Sequence, residues 1–467
     1  MKTYAIIMAA GKGTRMKSLL ADQSKVSYPI LEIPLVKHVL NSLKEINVNR
    51  KITIVGFGGP MTEKIVSDES EVVYQHEQKG TGHAIMQAAP LLEGLEGQTI
   101  ILSGDVPLLR GETLKKLIDD HVTNKNALTI LTALLDNPHG YGRVVRKEDK
   151  TVSYVVEHSD ASSIEKEIKE VNAGIYVFNN KLLFSYLKKL KPANKQNEYY
   201  LTDLIKMFKD DNLQIGAVIV DDFNEMLGIN DRYQLEEATR ILVQRINKKH
   251  MLNGITIEDK NSTYISPYAE IAPDTIIKPG THILGKTKIG TQNTIGPNTF
   301  LNNVLIGNNN NITFSHISDS EIGSFNEIGP FTKMRAHVVI KNHTRLGNFV
   351  ELKACVVEDY VKAAHLSYLG DVHIDEKTNV GCGTIVANYD GLNKHKTYIG
   401  KKVFIGSNVT IISPVTVGDG SLLAAGSTIN KDVQENEMAI ARARQENKVD
   451  GATKFREKIK KIKEDKK

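Results

Sequence analysis

The chain has no tryptophan and only two cysteines, Cys355 and Cys382, in 467 residues. Two thiols cannot build a disulfide framework or a cysteine-only zinc site, so a reducing, cytoplasmic setting is the simplest reading. No run of about 18 apolar residues occurs, so no membrane span is expected. The start, Met1-Lys2-Thr3-Tyr4, leads into a short apolar stretch that ends in Gly-Lys-Gly-Thr-Arg. No cleavage region follows, which argues against a signal peptide. Charge of one sign is also not in excess. A net +5 is mild; it suits small anionic substrates and predicts no nucleic-acid partner. The apolar content of 40% is ordinary and argues against disorder. The length allows two to four domains.

What is present is a beat of six. From Ile265 the chain reads Ile-Ser-Pro-Tyr-Ala-Glu, then six-residue units open at Ile271, Ile277, Ile283, Ile289 and Ile295. The beat resumes at Ile306, Ile322, Ile328, Leu346, Ile374, Val380, Ile399, Ile405, Ile411, Val417, Leu423 and Ile429. A fixed short period means stacked repeats. Six residues per side predict a parallel β-helix in which one aliphatic residue per side points inward. Gly or Asn would supply the positive φ that corners need. A β-sandwich does not fit, because its strands do not return at a constant six. Three stretches break the beat: 332–341, 354–368 and 387–396. Ideal coils are inert ladders, so these breaks are where chemistry is expected. They bring Lys333, Arg335, Lys353, His365, Asn388, Tyr389, Lys394 and Lys396, basic clusters suited to phosphates.

The first half alternates instead. Strands are expected at 4–10, 51–55, 99–102 and 128–134, with helices at 81–89 and 113–121, which predicts a parallel sheet covered by helices on both faces. Ligands then belong at the carboxyl ends of the strands. Two loops sit there. Gly11-Lys12-Gly13-Thr14-Arg15 could cradle phosphate with backbone N–H groups, or be an ordinary tight turn; it is neither a Walker A loop nor G-x-G-x-x-G. Asp105, after Ser103-Gly104, could ligate Mg²⁺ or serve as a turn residue. Residues 231–250 read as a helix joining domains 1–230 and 251–467. The lysine-dense tail after Gly451 reads as solvated and frayed rather than as a nucleic-acid or lipid contact.

In order along the chain stand Met8-Ala9-Ala10-Gly11-Lys12-Gly13-Thr14-Arg15-Met16, Gln78-Lys79-Gly80-Thr81-Gly82, Gly104-Asp105-Val106-Pro107-Leu108, Gly140-Tyr141-Gly142-Arg143, Val171-Asn172-Ala173-Gly174, Asn197-Glu198-Tyr199-Tyr200 and Gly228-Ile229-Asn230-Asp231. Ala364-His365-Leu366-Ser367-Tyr368 and Asn388-Tyr389-Asp390-Gly391 follow in the repeat region. Together they resemble the family of bifunctional enzymes of UDP-N-acetylglucosamine synthesis, over residues 1 to about 444. The resemblance implies an α/β fold: a Rossmann-like nucleotidyltransferase domain followed by a left-handed parallel β-helix of hexapeptide repeats. It implies acetyl transfer from acetyl-CoA to glucosamine-1-phosphate, then uridylyl transfer from UTP to N-acetylglucosamine-1-phosphate, with Mg²⁺ as cofactor and a homotrimer as the assembly.

The resemblance also implies site residues. Met8, Ala9, Ala10 and Gly11 would line the uridine and phosphate site, together with Ser103 and Gly104. Arg15 and Lys25 would neutralise the triphosphate. Gln75, Gly80 and Thr81 would read uracil, while Gly140, Glu157 and Asn172 hold the sugar. Asp105 and Asn230 would bind Mg²⁺. In the second half His365 would be the general base, and Glu351 would orient it or the amine. Arg335, Lys353, Tyr368 and Asn379 would bind the sugar phosphate, and Cys382, Asn388, Tyr389, Ser407, Ala425 and Arg442 acetyl-CoA. Two departures stand out. Lys25 lies nine residues after Met16, in a loop longer than usual and without its stiffening proline. Cys382 stands where the family more often has alanine. Two other readings remain open: a uridylyltransferase whose β-helix only assembles a trimer, and a regulatory scaffold like the paired folds of the eukaryotic translation-initiation exchange factor.

Overall fold

The computed structural model describes residues 1–20, 23–148, 151–192 and 197–465. They form two compact units, Met1–Lys248 and Lys249–Lys467.

In the first unit nine strands make one sheet. In chain order they are β1 (Thr3–Ala9), β2 (Arg50–Val55), β3 (Glu71–Tyr74), β4 (Gln98–Ser103), β5 (Leu128–Leu134), β6 (Arg143–Arg146), β7 (Val152–Val156), β8 (Glu170–Asn179) and β9 (Ile215–Ile219). The order across the sheet is β9-β5-β8-β4-β1-β2-β3, with β6 and β7 as a hairpin off β8. The central strand β1 is apolar on both faces because both are covered. Tyr4 and Ile6 pack with Ile85, Phe184 and Phe208 on one side, and Ala5 and Ile7 with Val39, Leu40 and Leu117 on the other.

The sheet is mixed, not parallel as expected. β8 runs antiparallel to both β4 and β5. The reason is the connection: after β5 the chain makes the β6–β7 hairpin and returns without a long crossover, so it re-enters the sheet reversed. The helix expected over 81–89 is also two pieces, Thr81–Met86 and Ala89–Leu92. Pro90 has no N–H for the preceding turn, so the helix restarts around it. The joining helix runs Arg232–Leu252. Its first turns bury Ala238 against Ile30, Leu35, Leu108 and Ile229.

In the second unit twenty-six short strands form one continuous sheet wound into coils, which begin at Thr256–Ile257. Every coil-to-coil pairing between its strands is parallel, as in Tyr264 opposite His282 and Phe300 opposite His316. Ile265, Ile283, Leu301, Ile317 and Met334 stack in register and are fully buried. Each such side chain contributes roughly 1.5–3 kcal/mol relative to exposure. A second, polar ladder runs inside: Asn310 and Asn326 each donate to the Asn side chain one coil below, both at 3.0 Å.

The expected breaks are mostly not breaks. Tyr264 stands opposite His282, eighteen residues on, and Arg345 opposite Lys362, seventeen on. Only the third stretch is a true insertion, with Val372 opposite Thr397, twenty-five residues on. Elsewhere a lost residue is absorbed by letting two sides run on as one bent strand, such as Arg345–Lys353 and Lys362–Gly370. Arg335 and His365 therefore sit on ordinary coils. Gly and Asn hold positive φ at many corners, as expected, for example Asn298 (49°), Asn408 (56°) and Gly280 (71°). Other corners carry rings at positive φ, as at Phe331 (59°) and Phe349 (58°), where bulky residues are uncommon. Stacking from coil to coil offsets this, with ring centroids 5.2 Å apart. Finally, among the described residues of the lysine-rich tail, Gly451–Glu464 is a helix, with its side chains solvated but not frayed.

Candidate active sites

The first site is built by strand ends. β1 delivers Met8 and Ala9, and the chain turns at once through Ala10–Gly13 into a single helical turn, Thr14–Met16. Gly13 has φ 59°, and a β-carbon there would lie 2.7 Å from that of Lys25. A small cleft of about 270 Å³ is walled by Met8, Ala9, Ala10 and Gly11 with Lys25, Gln75, Gly80, Thr81, Ser103 and Asp105. An adjoining cleft of about 850 Å³ shares Met8, Thr81, Ser103 and Asp105, and adds Arg15, Gly140, Glu157, Asn172 and Asn230. Of the residues expected here only Gly104 lines neither. Its N–H donates to Met8 O at 2.8 Å, clamping β4 to β1 beneath the site.

The floor of the site is held by hydrogen bonds. Gln75 Nε2 donates to Gly80 O at 3.3 Å, and Gln78 Nε2 donates to Ala10 O at 2.6 Å. Leu201 N–H donates to the Thr81 hydroxyl at 3.0 Å. Gly80 has φ 103°, and a β-carbon there would collide with Tyr199 O at 2.7 Å. Asn172 is turned by a bulge in β8; its Nδ2 donates to the Tyr176 hydroxyl at 2.7 Å. Burial pushes the Glu157 carboxyl above its ordinary range, and the nearby Asp160 and Asp203 carboxylates add to the shift. Gln78 and Glu198 also line the small cleft, although the motifs containing them suggested no role for either.

Asp105 and Asn230 converge through a third residue. Lys25 Nζ donates to Asn230 Oδ1 at 3.0 Å and is paired with the Asp105 carboxylate. Ser103 Oγ donates to the other Asp105 oxygen at 2.6 Å. Two hard oxygens thus already face one cation, and that donor set fits Mg²⁺, which takes few protein oxygens and completes its shell from phosphate and water. The long loop does not displace Lys25. Its turn, Lys25–Ser27, starts from Ser24, which is buried and hydrogen-bonded to Thr62 at 2.7 Å.

The second site lies on the β-helix, at two corners of one face. At one corner Arg335 stands opposite Lys353, and Glu351 opposite Tyr368, on successive coils. Glu351, expected to orient His365 or the amine, is tied to Arg335 by an ion pair at 2.6 Å. A β-carbon on Gly370 would lie 2.5 Å from the Tyr368 hydroxyl and 2.8 Å from Asn388 Nδ2. The cradle therefore exists only because residue 370 is glycine. The inserted loop closes over this corner as a small hairpin: Tyr389 bridges Lys394, and His395 Nε2 meets Asp390 at 2.7 Å. It sets the Lys394 ammonium beside that of Lys353, and the repulsion lowers the Lys394 pKa. Two cations held together suit an anion. Lys394 belonged to a basic cluster in the sequence, but no role followed from spacing alone.

At the other corner His365 is exposed, opposite Asn348. Above it Leu366 O accepts from Gly383 N–H at 2.7 Å, Cys382 O from Asn408 N–H at 2.7 Å, and Ser407 O from Gly426 N–H at 2.8 Å. Cys382, Ser407 and Ala425 are therefore stacked along the corner that begins at His365. Arg442 Nη1 donates to Ala425 O at 2.6 Å at the top of the stack. Asn379 lies on the preceding side, opposite Lys362 and Phe404. Cys382 is exposed, while Cys355 is buried and its thiol is pushed up to about 12.

A nucleotide-sized cleft in one unit and a hexapeptide coil in the other define a two-part transferase. The nucleotidyl transferase family matches residues 4–224, and the bacterial transferase hexapeptide family, as six repeats, matches residues 396–431. The chain is 48% identical over 96% of its length to the bifunctional protein GlmU of a Geobacillus species, covering 97% of that protein. It is 47% identical to the bifunctional protein GlmU of an Exiguobacterium species, over 97% of this chain and 100% of that one. The same-named protein of Streptococcus thermophilus matches at 45% over 96% of this chain and 97% of that one. The chain belongs to the bifunctional GlmU family and is an enzyme with two activities.

Proposed function

We propose that the β-helix moves acetyl from acetyl-CoA to the amine of glucosamine-1-phosphate, and that the first unit joins the product to UTP. The observation that carries this reading is the convergence of Asp105 and Asn230 oxygens on one cation at the wall shared by two clefts. In the first unit the smaller cleft takes the nucleotide and the larger the sugar. A phosphate oxygen of N-acetylglucosamine-1-phosphate attacks the α-phosphorus of UTP, the bond to the β-phosphate oxygen breaks, and pyrophosphate leaves. Arg15 and Lys25 neutralise the phosphates, and Glu157 and Asn172 hold the sugar. Asp105 and Asn230 would hold Mg²⁺, which supplies charge neutralisation of the transferring phosphate when bound. No protein nucleophile is needed, because positioning and charge supply most of the rate.

In the second unit the amine nitrogen attacks the thioester carbon and the C–S bond breaks. The His365 imidazole takes the amine proton and returns it to the departing thiolate. Arg335, Lys353 and Tyr368 hold the sugar phosphate, and Asn379 serves it from the preceding side of the coil. Asn388 and Tyr389 join Cys382, Ser407, Ala425 and Arg442 around acetyl-CoA. Within one chain His365 and the Arg335–Lys353 cluster occupy different corners. A trimer in which neighbouring coils bring such corners together would complete the site, which is the closed symmetric assembly this reading requires. The test assays each half-reaction separately. His365→Ala should lower acetyl transfer by about 10²–10⁴-fold and leave pyrophosphate release intact. Asp105→Ala should do the reverse. Full acetyl transfer by His365→Ala would remove His365 as the base.

A further inference from the structure

The helix Gly451–Glu464 is outside both sites, and none of its side chains is buried. Phe455, Ile459 and Ile462 are 64%, 49% and 47% exposed. Their spacing is that of one helical stripe. At 100° per residue they fall within about 60° of one another. Lys458 and Lys463 flank the stripe on either side, each about 40° from its edge. Lys454, Arg456, Lys460 and Lys461 extend the basic flanks, and the acidic Glu457 and Glu464 lie on the pole opposite the stripe. Charge and apolarity are therefore sorted, with cations next to the apolar strip and anions as far from it as the helix allows.

We propose that this helix docks lengthwise on an anionic lipid surface, with Phe455, Ile459 and Ile462 in the acyl boundary and the flanking lysines at the headgroups. Long lysine side chains can keep their stems beside buried apolar residues while the ammonium reaches phosphate. A second copy of the helix fits poorly. In a heptad with Phe455 and Ile462 at d and Ile459 at a, position g is Lys458 and position e of the partner is Lys463, so like charges meet across the pair. A nucleic acid would use the cations and leave the three apolar residues in water. Only an anionic interface uses both. No helix among the described residues is long and apolar enough to cross a membrane, so contact would lie along the surface.

The test is vesicle flotation of the full chain. Neutral phosphatidylcholine vesicles are compared with vesicles carrying about a third phosphatidylglycerol. The expected result is at least about tenfold more protein on the anionic vesicles, lost as salt rises from about 0.1 M to about 1 M. Phe455→Ser with Ile459→Ser, and separately Lys458→Glu with Lys463→Glu, should each cut flotation at least about tenfold while both transferase activities in solution stay at wild-type level. Flotation indifferent to lipid charge overturns the proposal, as does none at all. Wild-type flotation by the Phe455/Ile459 variant would reduce the helix to a polybasic contact and also overturn it. So would a smaller assembly of that variant in analytical ultracentrifugation, which would assign the stripe to a second copy.

Discussion

Lys25 Nζ donates to Asn230 Oδ1 at 3.0 Å while paired with Asp105, so one ammonium sits between the two oxygens proposed for Mg²⁺. The lysine and the metal then compete for the same oxygens. On the proposed reading, Lys25 would be released toward the phosphates when metal and UTP bind. Lys25→Met removes the competitor and strands the Asp105 carboxylate. Stabilisation by Mg²⁺, read as the rise in Tm, should be larger in this variant than in the wild type. Half-saturation should fall by at least about threefold. Uridylyl transfer should nonetheless drop about 10²-fold, because the triphosphate loses a cation. An unchanged Mg²⁺ response would separate Lys25 from the metal site.

At Glu157, fold stability and the proposed sugar binding pull apart. Its carboxyl is raised above the ordinary value of 4.5, first by burial and then by Asp160 and Asp203. A raised folded-state pKa gives stability that is complete below the ordinary value and lost as pH climbs through the folded value. At neutral pH the ionised group is thus unfavourable in the fold. Glu157→Gln should raise Tm at pH 7 by about 2–4 °C and leave it unchanged near pH 4. The KM for N-acetylglucosamine-1-phosphate should rise. A Tm gain equal at both pH values would show that ionisation of Glu157 is not its source.

Gly13 offers a purely steric test. Its φ of 59° and the 2.7 Å approach of Lys25 Cβ leave no room for a side chain. Gly13→Ala should push the Lys25 turn away from Asp105 and lower uridylyl transfer about 10²-fold, with acetyl transfer unchanged. Wild-type uridylyl transfer by this variant would mean the loop can move without loss.

How much of this was legible in the sequence depends on the range of the contacts. The aliphatic beat from Ile265 is a local period, and it foretold the coils. The strand-end positions of Gly11 and Asp105 followed from alternation. The reversed strand Glu170–Asn179 did not, because direction in a sheet is set by a connection, and nothing in Val171–Phe178 encodes which way it runs. The expected breaks around Arg335 and His365 were misread for a similar reason. A period counter sees a lost residue as an interruption, but a bent strand absorbs it. The Lys353–Lys394 pairing joins residues forty-one apart through an inserted hairpin, which no spacing rule reports. Helix formation in Gly451–Glu464 was written in the spacing of Phe455, Ile459 and Ile462, but the density of lysine drew attention to charge instead.

The two thiols give a chemical probe of the second site. Cys382 is exposed on the corner that runs up from His365, whereas Cys355 is buried with its thiol pushed up to about 12. The thiolate is the reactive form, so Cys355 is protected twice, by burial and by protonation. A bulky maleimide should therefore modify Cys382 alone and place its adduct in the proposed acetyl-CoA groove. Acetyl transfer should fall at least about tenfold and pyrophosphate release should not change. Bound acetyl-CoA should slow the modification. Cys382→Ala should keep acetyl transfer near wild type and make it resistant to the reagent. Mass spectrometry after digestion identifies the labelled cysteine. Stoichiometric labelling of Cys382 with full acetyl transfer would move acetyl-CoA off this corner, and with it the roles proposed for Ser407 and Ala425 on the same stack.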